Sequence, residues 1–155
     1  MTIRVFLLDD QEVVREGLKV VLGRERDLEV VGEASSKEAG LPEIALLRPD
    51  VVLVDLMDSS SAGGLEACRA IRRDLPEVAC VVLTWRPSDE ILMAAVRADV
   101  AGLLVKDTSA EDLVRGVREI AQGATLIDPT LTGRLLERLR QGRSLDHQPA
   151  ALADL

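Results

Sequence analysis

The chain has 155 residues, 47% of them apolar and mostly aliphatic, with one Phe, one Trp and no Tyr. That length fits one domain with a sizeable core and a short appendage. A net charge of −8 argues against a chain that grips nucleic acid by itself, since phosphate neutralisation needs clustered Lys and Arg.

Short apolar runs rich in Val, Leu and Ile recur along the chain, at Ile3–Leu8, Leu28–Gly32, Val51–Val54, Val78–Leu83 and Ala101–Val105. Runs of this kind are expected of parallel strands buried on both faces. Helical spacing fills the gaps. Val13, Val14, Gly17, Leu18, Val21 and Leu22 form one stripe, and Ser35–Arg48 predicts a short or bent helix because Gly40 and Pro42 interrupt it. Leu65, Cys68 and Ile71 form another stripe, followed by Ile91, Leu92, Ala95 and Val96, and then by Leu113, Val114, Val117 and Ile120. Ser88 before Asp89-Glu90, and Ser109 three residues before Asp112, read as helix starts. Five strand–helix alternations predict an α/β fold, a doubly wound five-stranded parallel sheet with right-handed crossovers. Past Gly123, Ala124–Asp128 reads as a short extended stretch, and Pro129 suits the first turn of a further helix ending at Gly142. The expected division is 1–122, a linker with an amphipathic helix at 123–142, and a flexible tail at 143–155.

Cys68 and Cys80 are too few for a disulfide framework or a zinc site and read as reduced core thiols. The sequence opens directly into a strand, and no uncharged run approaches the ~20 residues of a membrane span. A cytoplasmic protein without membrane partners is expected.

The strand ends carry the chemistry. Asp9 and Asp10 close the first run, Asp55 the third, Thr84 the fourth and Lys106 the fifth. In an open α/β sheet these side chains gather at the carboxyl edge, where such folds hold ligands. Three carboxylates, a hydroxyl and an ammonium suit a divalent cation and a transferred phosphoryl group. Mg²⁺ binds through one or two carboxylates, waters and phosphate oxygens. Asp55 is then the nucleophile candidate, with Lys106 and Thr84 placed to meet phosphoryl oxygens. Each residue also has a plainer reading: Asp10 as a helix cap, Lys106 as a salt-bridge partner of an aspartate, Thr84 as a turn residue.

The set Asp9-Asp10, Asp55, Thr84 and Lys106 resembles the phosphoacceptor receiver domain of two-component response regulators, over residues 1 to about 122. Val5–Leu18, Arg48–Asp55 and Gly102–Asp107 are similar to the NarL/FixJ subfamily. Ala121–Arg140, with Leu126-Ile-Asp-Pro129, is similar to the linker of DosR/DevR-like members. The resemblance implies the flavodoxin/CheY-like strand order 2-1-3-4-5 with an extra C-terminal linker helix. It implies Asp55 as acceptor of phosphate from a sensor histidine kinase, and Mg²⁺ on Asp9, Asp10, Asp55 and the main-chain carbonyl of Met57. Thr84 and Lys106 would sense the phosphoryl group. Output would run through the face formed by the fourth helix, fifth strand and fifth helix, roughly Ser88 to Gln122, or through a homodimer on that face or on the linker helix. DNA would be reached only through a C-terminal effector domain.

Three departures from the family pattern stand out. Leu103 occupies the usual aromatic switch position. The loop Leu56-Met-Asp-Ser-Ser-Ser-Ala-Gly-Gly64 lacks the usual Pro and has one extra residue, Asp58 being either a further metal ligand or a solvated loop residue. The family's helix-turn-helix, expected near residues 145–155, is absent from the sequence. Two other readings therefore stand beside the phosphoswitch. One is a degenerate receiver that works as a phosphorylation-independent interaction module. The other is a phosphohydrolase of the haloacid dehalogenase type, although those enzymes carry Asp-x-Asp where this chain has adjacent Asp9-Asp10.

Overall fold

A computed structural model describes the backbone of residues 1–56, 62–85 and 87–154, and the side chains of the same residues except Ala62 and 142–154. In chain order the elements are β1 (Ile3–Leu8), α1 (Glu12–Gly23), β2 (Leu28–Ala34), α2 (Lys37–Leu47), β3 (Val51–Leu56) and α3 (Ala62–Asp74). There follow β4 (Ala79–Thr84), α4 (Asp89–Arg97), β5 (Gly102–Val105), α5 (Ala110–Ala121), β6 (Leu126–Ile127) and α6 (Pro129–Asp154). All strand pairs are parallel, in the order β2-β1-β3-β4-β5-β6.

The doubly wound α/β sheet expected from the sequence is present, with one correction: six strands, not five. The extended stretch after Gly123 joins the sheet edge, with Gly102 opposite Leu126 and Leu103 opposite Ile127. Two residues of periodicity are too few to read as a strand; the backbone of β5 supplies the pairing.

Strand residues alternate between two cores, as the pleat requires. Phe6, Leu8, Val52, Val54 and Leu103 face a cluster completed by Ile44, Leu65, Ile71, Leu92, Leu131 and Leu135, from α2, α3, α4 and α6. Val5, Leu7, Val51, Leu53, Val81 and Leu104 face Leu22 of α1 and Leu113, Val117 and Ile120 of α5. The α1 stripe is narrower than the sequence indicates. Leu22 is buried, whereas Val13 is 84% exposed. Nine residues at about 100° each place Val13 half a turn away from Leu22.

The segment expected to be short or bent forms an eleven-residue helix with Pro42 inside it. Ser36 caps it by accepting a hydrogen bond from the Ala39 N–H at 3.2 Å. Gly40 marks a close approach to the sheet: a Cβ there would lie 2.8 Å from Leu8 Cδ1.

At the C-terminus the backbone is helical to Asp154, so Gly142 does not end α6 as expected. Gly142 itself costs only about 1 kcal/mol of helix propensity, between Gln141 and Arg143, which favour helix; Pro149, also inside α6, costs about 3 kcal/mol, and propensity does not account for the helix beyond it. None of the helices is long and apolar enough to cross a membrane, among the described residues.

The β1–β2 register shifts between Val5 and Phe6, which brings Gly32 opposite the fully buried ring of Phe6. A Cβ on Gly32 would lie 2.8 Å from Phe6 Cε2 and 3.1 Å from Leu47 Cδ1. Gly32→Ala is expected to lower unfolding free energy by roughly 1–3 kcal/mol through overpacking, measured by urea denaturation with unchanged m-value.

Candidate phosphoacceptor site

The crossover pattern builds the site. The chain leaves β1 for β2 on one side and returns to β3 on the other, so the carboxyl ends of β1 and β3 flank a crevice at the switch point. Asp9 and Asp10 follow β1 directly, and Asp55 is the penultimate residue of β3. One carboxylate oxygen from each of Asp9, Asp10 and Asp55 lies within 4.8 Å of the other two. Asp9 and Asp55 are buried and Asp10 is exposed.

The capping role considered for Asp10 is not realised. Gln11 occupies the cap position of α1 and makes no side-chain cap bond. Asp9 Oδ1 instead accepts the Gln11 N–H at 2.8 Å, and the Asp9 carbonyl accepts from Arg15 Nη1 at 2.6 Å. These bonds fix the Asp9 backbone and one of its oxygens. Asp9 Oδ2 and Asp55 Oδ2 are buried with no hydrogen-bond partner among the described residues. Two unsatisfied carboxylate oxygens in a shared crevice are costly unless a cation or a proton compensates them. Burial foremost, with the carboxyl of Asp55 alongside, raises the Asp9 pKa from 3.8 to about 7, against the lowering effect of the Gln11 N–H. The donor set is all oxygen, as a hard divalent cation requires.

Lys106 makes the ion pair that its plainer reading anticipated. Its ammonium meets Asp55 Oδ1, and both side chains are almost wholly buried. Thr84, also buried, ends β4 with its Cα paired to Leu56, one residue beyond Asp55. The Lys106 N–H donates to the Thr84 carbonyl at 2.8 Å, tying the ends of β4 and β5 together. Trp85, next in sequence, is about half exposed. Leu103 is buried in the cluster that includes Leu92, Leu131 and Leu135. Met57 and Asp58 lie outside the described residues.

The crevice opens into a pocket of about 210 Å³ lined by Asp9, Asp10 and Asp55 and also by Ser35–Glu38, Gly63 and Gly64. The Ser35–Glu38 wall went unread in the sequence. Its signal was available, because Ser35-Ser36 follows β2 at the same sheet edge.

Residues 5–118 match the response regulator receiver domain family. The chain belongs to that family. It is 35% identical over 152 residues to the DNA-binding transcriptional activator DevR/DosR of Mycobacterium tuberculosis, covering 98% of this chain and 70% of that protein. It is 33% identical over 145 residues to the response regulator protein VraR of Staphylococcus aureus, covering 94% and 69%. A two-component response regulator of the LuxR family from Aurantimonas sp. SI85-9A1 superposes with a TM-score of 0.80 at 27% identity, over 89% of this chain and 98% of that one. The receiver resemblance read from the sequence holds, and the chain is a receiver domain of the LuxR/NarL type.

Because Asp9 holds a proton in the fold that the unfolded chain gives up near pH 4, its contribution to stability falls as pH rises from about 4 to about 7. Asp9→Asn keeps an acceptor for the Gln11 amide and removes the charge. In chelator, it is expected to raise stability at pH 8 by on the order of 2 kcal/mol and to change it little at pH 4, read from denaturant midpoints at both pH values.

Proposed function

We propose that Asp55 accepts a phosphoryl group and that the receiver thereby shifts between two conformations. The observation that carries this reading is the buried Asp55 carboxylate, held between the ammonium of Lys106 and the carboxyl of Asp9 at the switch point of the sheet. An Asp55 oxygen would attack phosphorus in a phosphohistidine of a sensor kinase or in a small acyl phosphate. A P–O bond to Asp55 forms as the P–N or P–O bond to the donor breaks, and the donor leaves with that electron pair. Lys106 would move from the carboxylate to a phosphoryl oxygen, and the Thr84 hydroxyl would donate to another.

Asp9, Asp10 and Asp55, with the main-chain carbonyl of Met57, would hold Mg²⁺. The ion's contribution, when bound, is to screen the repulsion between carboxylate and phosphoryl oxygens. The unsatisfied oxygens of Asp9 and Asp55 support this assignment. We take residues 1–122 as the receiver and 123–142 as its linker. Dimerisation through the α4–β5–α5 face or α6, and DNA binding through an appended effector domain, are the outputs that fit relatives described as transcriptional regulators. The buried Leu103 favours a second reading, an interaction module that needs no phosphate.

The two readings separate on one experiment. With Mg²⁺ and acetyl phosphate, intact mass is expected to rise by one phosphoryl group per chain. Mg²⁺ with beryllofluoride, an acyl-phosphate mimic, is expected to change Trp85 fluorescence saturably. Asp55→Asn should abolish both responses, and Lys106→Met should slow phosphorylation about 100-fold. An unchanged mass together with flat fluorescence would leave the phosphate-independent module.

A further inference from the structure

The linker helix is docked on the receiver, and the manner of its docking reaches the site. Asp128 starts α6: its Oδ1 accepts the Thr130 N–H at 2.9 Å, and its own N–H donates to the Leu103 carbonyl at 2.8 Å. Leu131 and Leu135, one turn apart, are buried in the cluster shared with Leu92, Ala95 and Leu103. Between them in sequence stands Arg134. Its Nη2 donates to the Pro87 carbonyl at 2.8 Å and to Asp89 Oδ1 at 2.9 Å.

These two acceptors lie on the segment joining the site to α4. Thr84 ends β4, Pro87 is three residues later, Ser88 caps α4 by accepting the Ile91 N–H, and Asp89 opens the helix. Pro87 is buried with a fixed φ, so the chain that leaves Thr84 enters α4 through an anchored residue whose carbonyl Arg134 holds. The leucines supply the adhesion of α6. Arg134 supplies its position, since an exposed ion pair is itself worth little.

We propose that α6 is a latch closed over α4, with Arg134 as its catch, and that a phosphoryl group on Asp55 opens it. This rests on the acceptor reading above. In the present arrangement Lys106 closes on Asp55 while Arg134 holds Pro87 and Asp89. Drawing the Thr84 hydroxyl toward a phosphoryl oxygen pulls one end of the connection while Arg134 holds the other, so the two contacts compete. Leu103 fits this route. With no aromatic ring to swing at that position, the signal travels through the β4–α4 backbone to α6. Opening uncovers Leu131 and Leu135 together with the already exposed Leu136 and Leu139. Linkage then requires the converse: weakening the latch tightens the acceptor pocket's grip on its ligand.

The test uses the full chain with Mg²⁺ and beryllofluoride. Bound fluoride is followed by fluorine NMR, and exchange of the α6 amides by hydrogen–deuterium exchange. In the native chain, bound beryllofluoride is expected to speed exchange across Leu131–Gln141 about fivefold or more. Arg134→Ala should show that faster exchange without ligand, and its half-saturating beryllofluoride concentration should fall about fivefold. Asp89→Asn should move both readouts the same way by less. Arg138→Ala, on the same helix, should move neither.

Bound beryllofluoride with unchanged α6 exchange in the native chain overturns the latch and leaves the acceptor standing. So does an Arg134→Ala variant whose exchange rises while its half-saturation stays with that of Arg138→Ala, because a purely structural contact gives that pattern. A failure to bind beryllofluoride at all removes the acceptor reading, and the latch with it.

Discussion

Asp9 and Asp55 are forced together by topology. β1 lies between β2 and β3, so the residues that end β1 and β3 must share one crevice, and both carboxylates there are buried. An apolar sheet does not place like charges side by side in its core without a compensating group. The surrounding structure supplies part of that compensation: the Gln11 amide on Asp9, the Lys106 ammonium on Asp55, and an open pocket on the α2 side where a cation or an anionic donor can enter. The fold tolerates the remaining electrostatic cost because the strands behind the site are almost wholly buried and apolar.

The two faces of the sheet are closed differently. On the α1/α5 side, Arg118 of α5 donates a forked pair of bonds to Asp27 and a further one to Glu25, joining α5 to the α1–β2 turn. Both carboxylates hold the Arg118 guanidinium above its ordinary pKa, and the guanidinium in turn holds the Asp27 carboxyl below the usual carboxylate range. On the α4 side, Arg72 of α3 pairs with Asp99, just past the end of α4, at 2.7 Å. There, α6 is added from outside the five strand–helix units, held by two leucines and one arginine. The α6 fastening is the one that reaches toward Thr84, through Pro87 and Asp89.

Much of this was legible in the sequence. Each polar site residue stands at the end of an apolar run, and a continuous apolar run in an α/β pattern has few alternatives to a buried parallel strand. The remaining features have a weaker or longer-range signature. β6 is two residues long and exists because β5 offers an edge. α6 continues past Gly142 although Gly133, Gly142 and Pro149 all lie inside it, which local propensity does not predict. Val13 is apolar but rotated away from the core, a distinction that needs the helix phase fixed by Leu22. The Ser35–Glu38 wall follows β2 at the same sheet edge, but its charged residues Lys37 and Glu38 stand in the first turn of α2 rather than at the end of an apolar run.

The order of the site residues along the chain has a consequence for biosynthesis. Asp9, Asp10 and Asp55 all leave the ribosome before Thr84 and Lys106. The β2-β1-β3 core can therefore pair while its acidic end still lacks the ammonium of Lys106. Through that interval the chain's own cations near the cluster are Arg15, bonded to the Asp9 carbonyl, and Lys37 on the pocket wall, so the carboxylate of Asp55 meets these and the ions of the solution before it meets its buried partner.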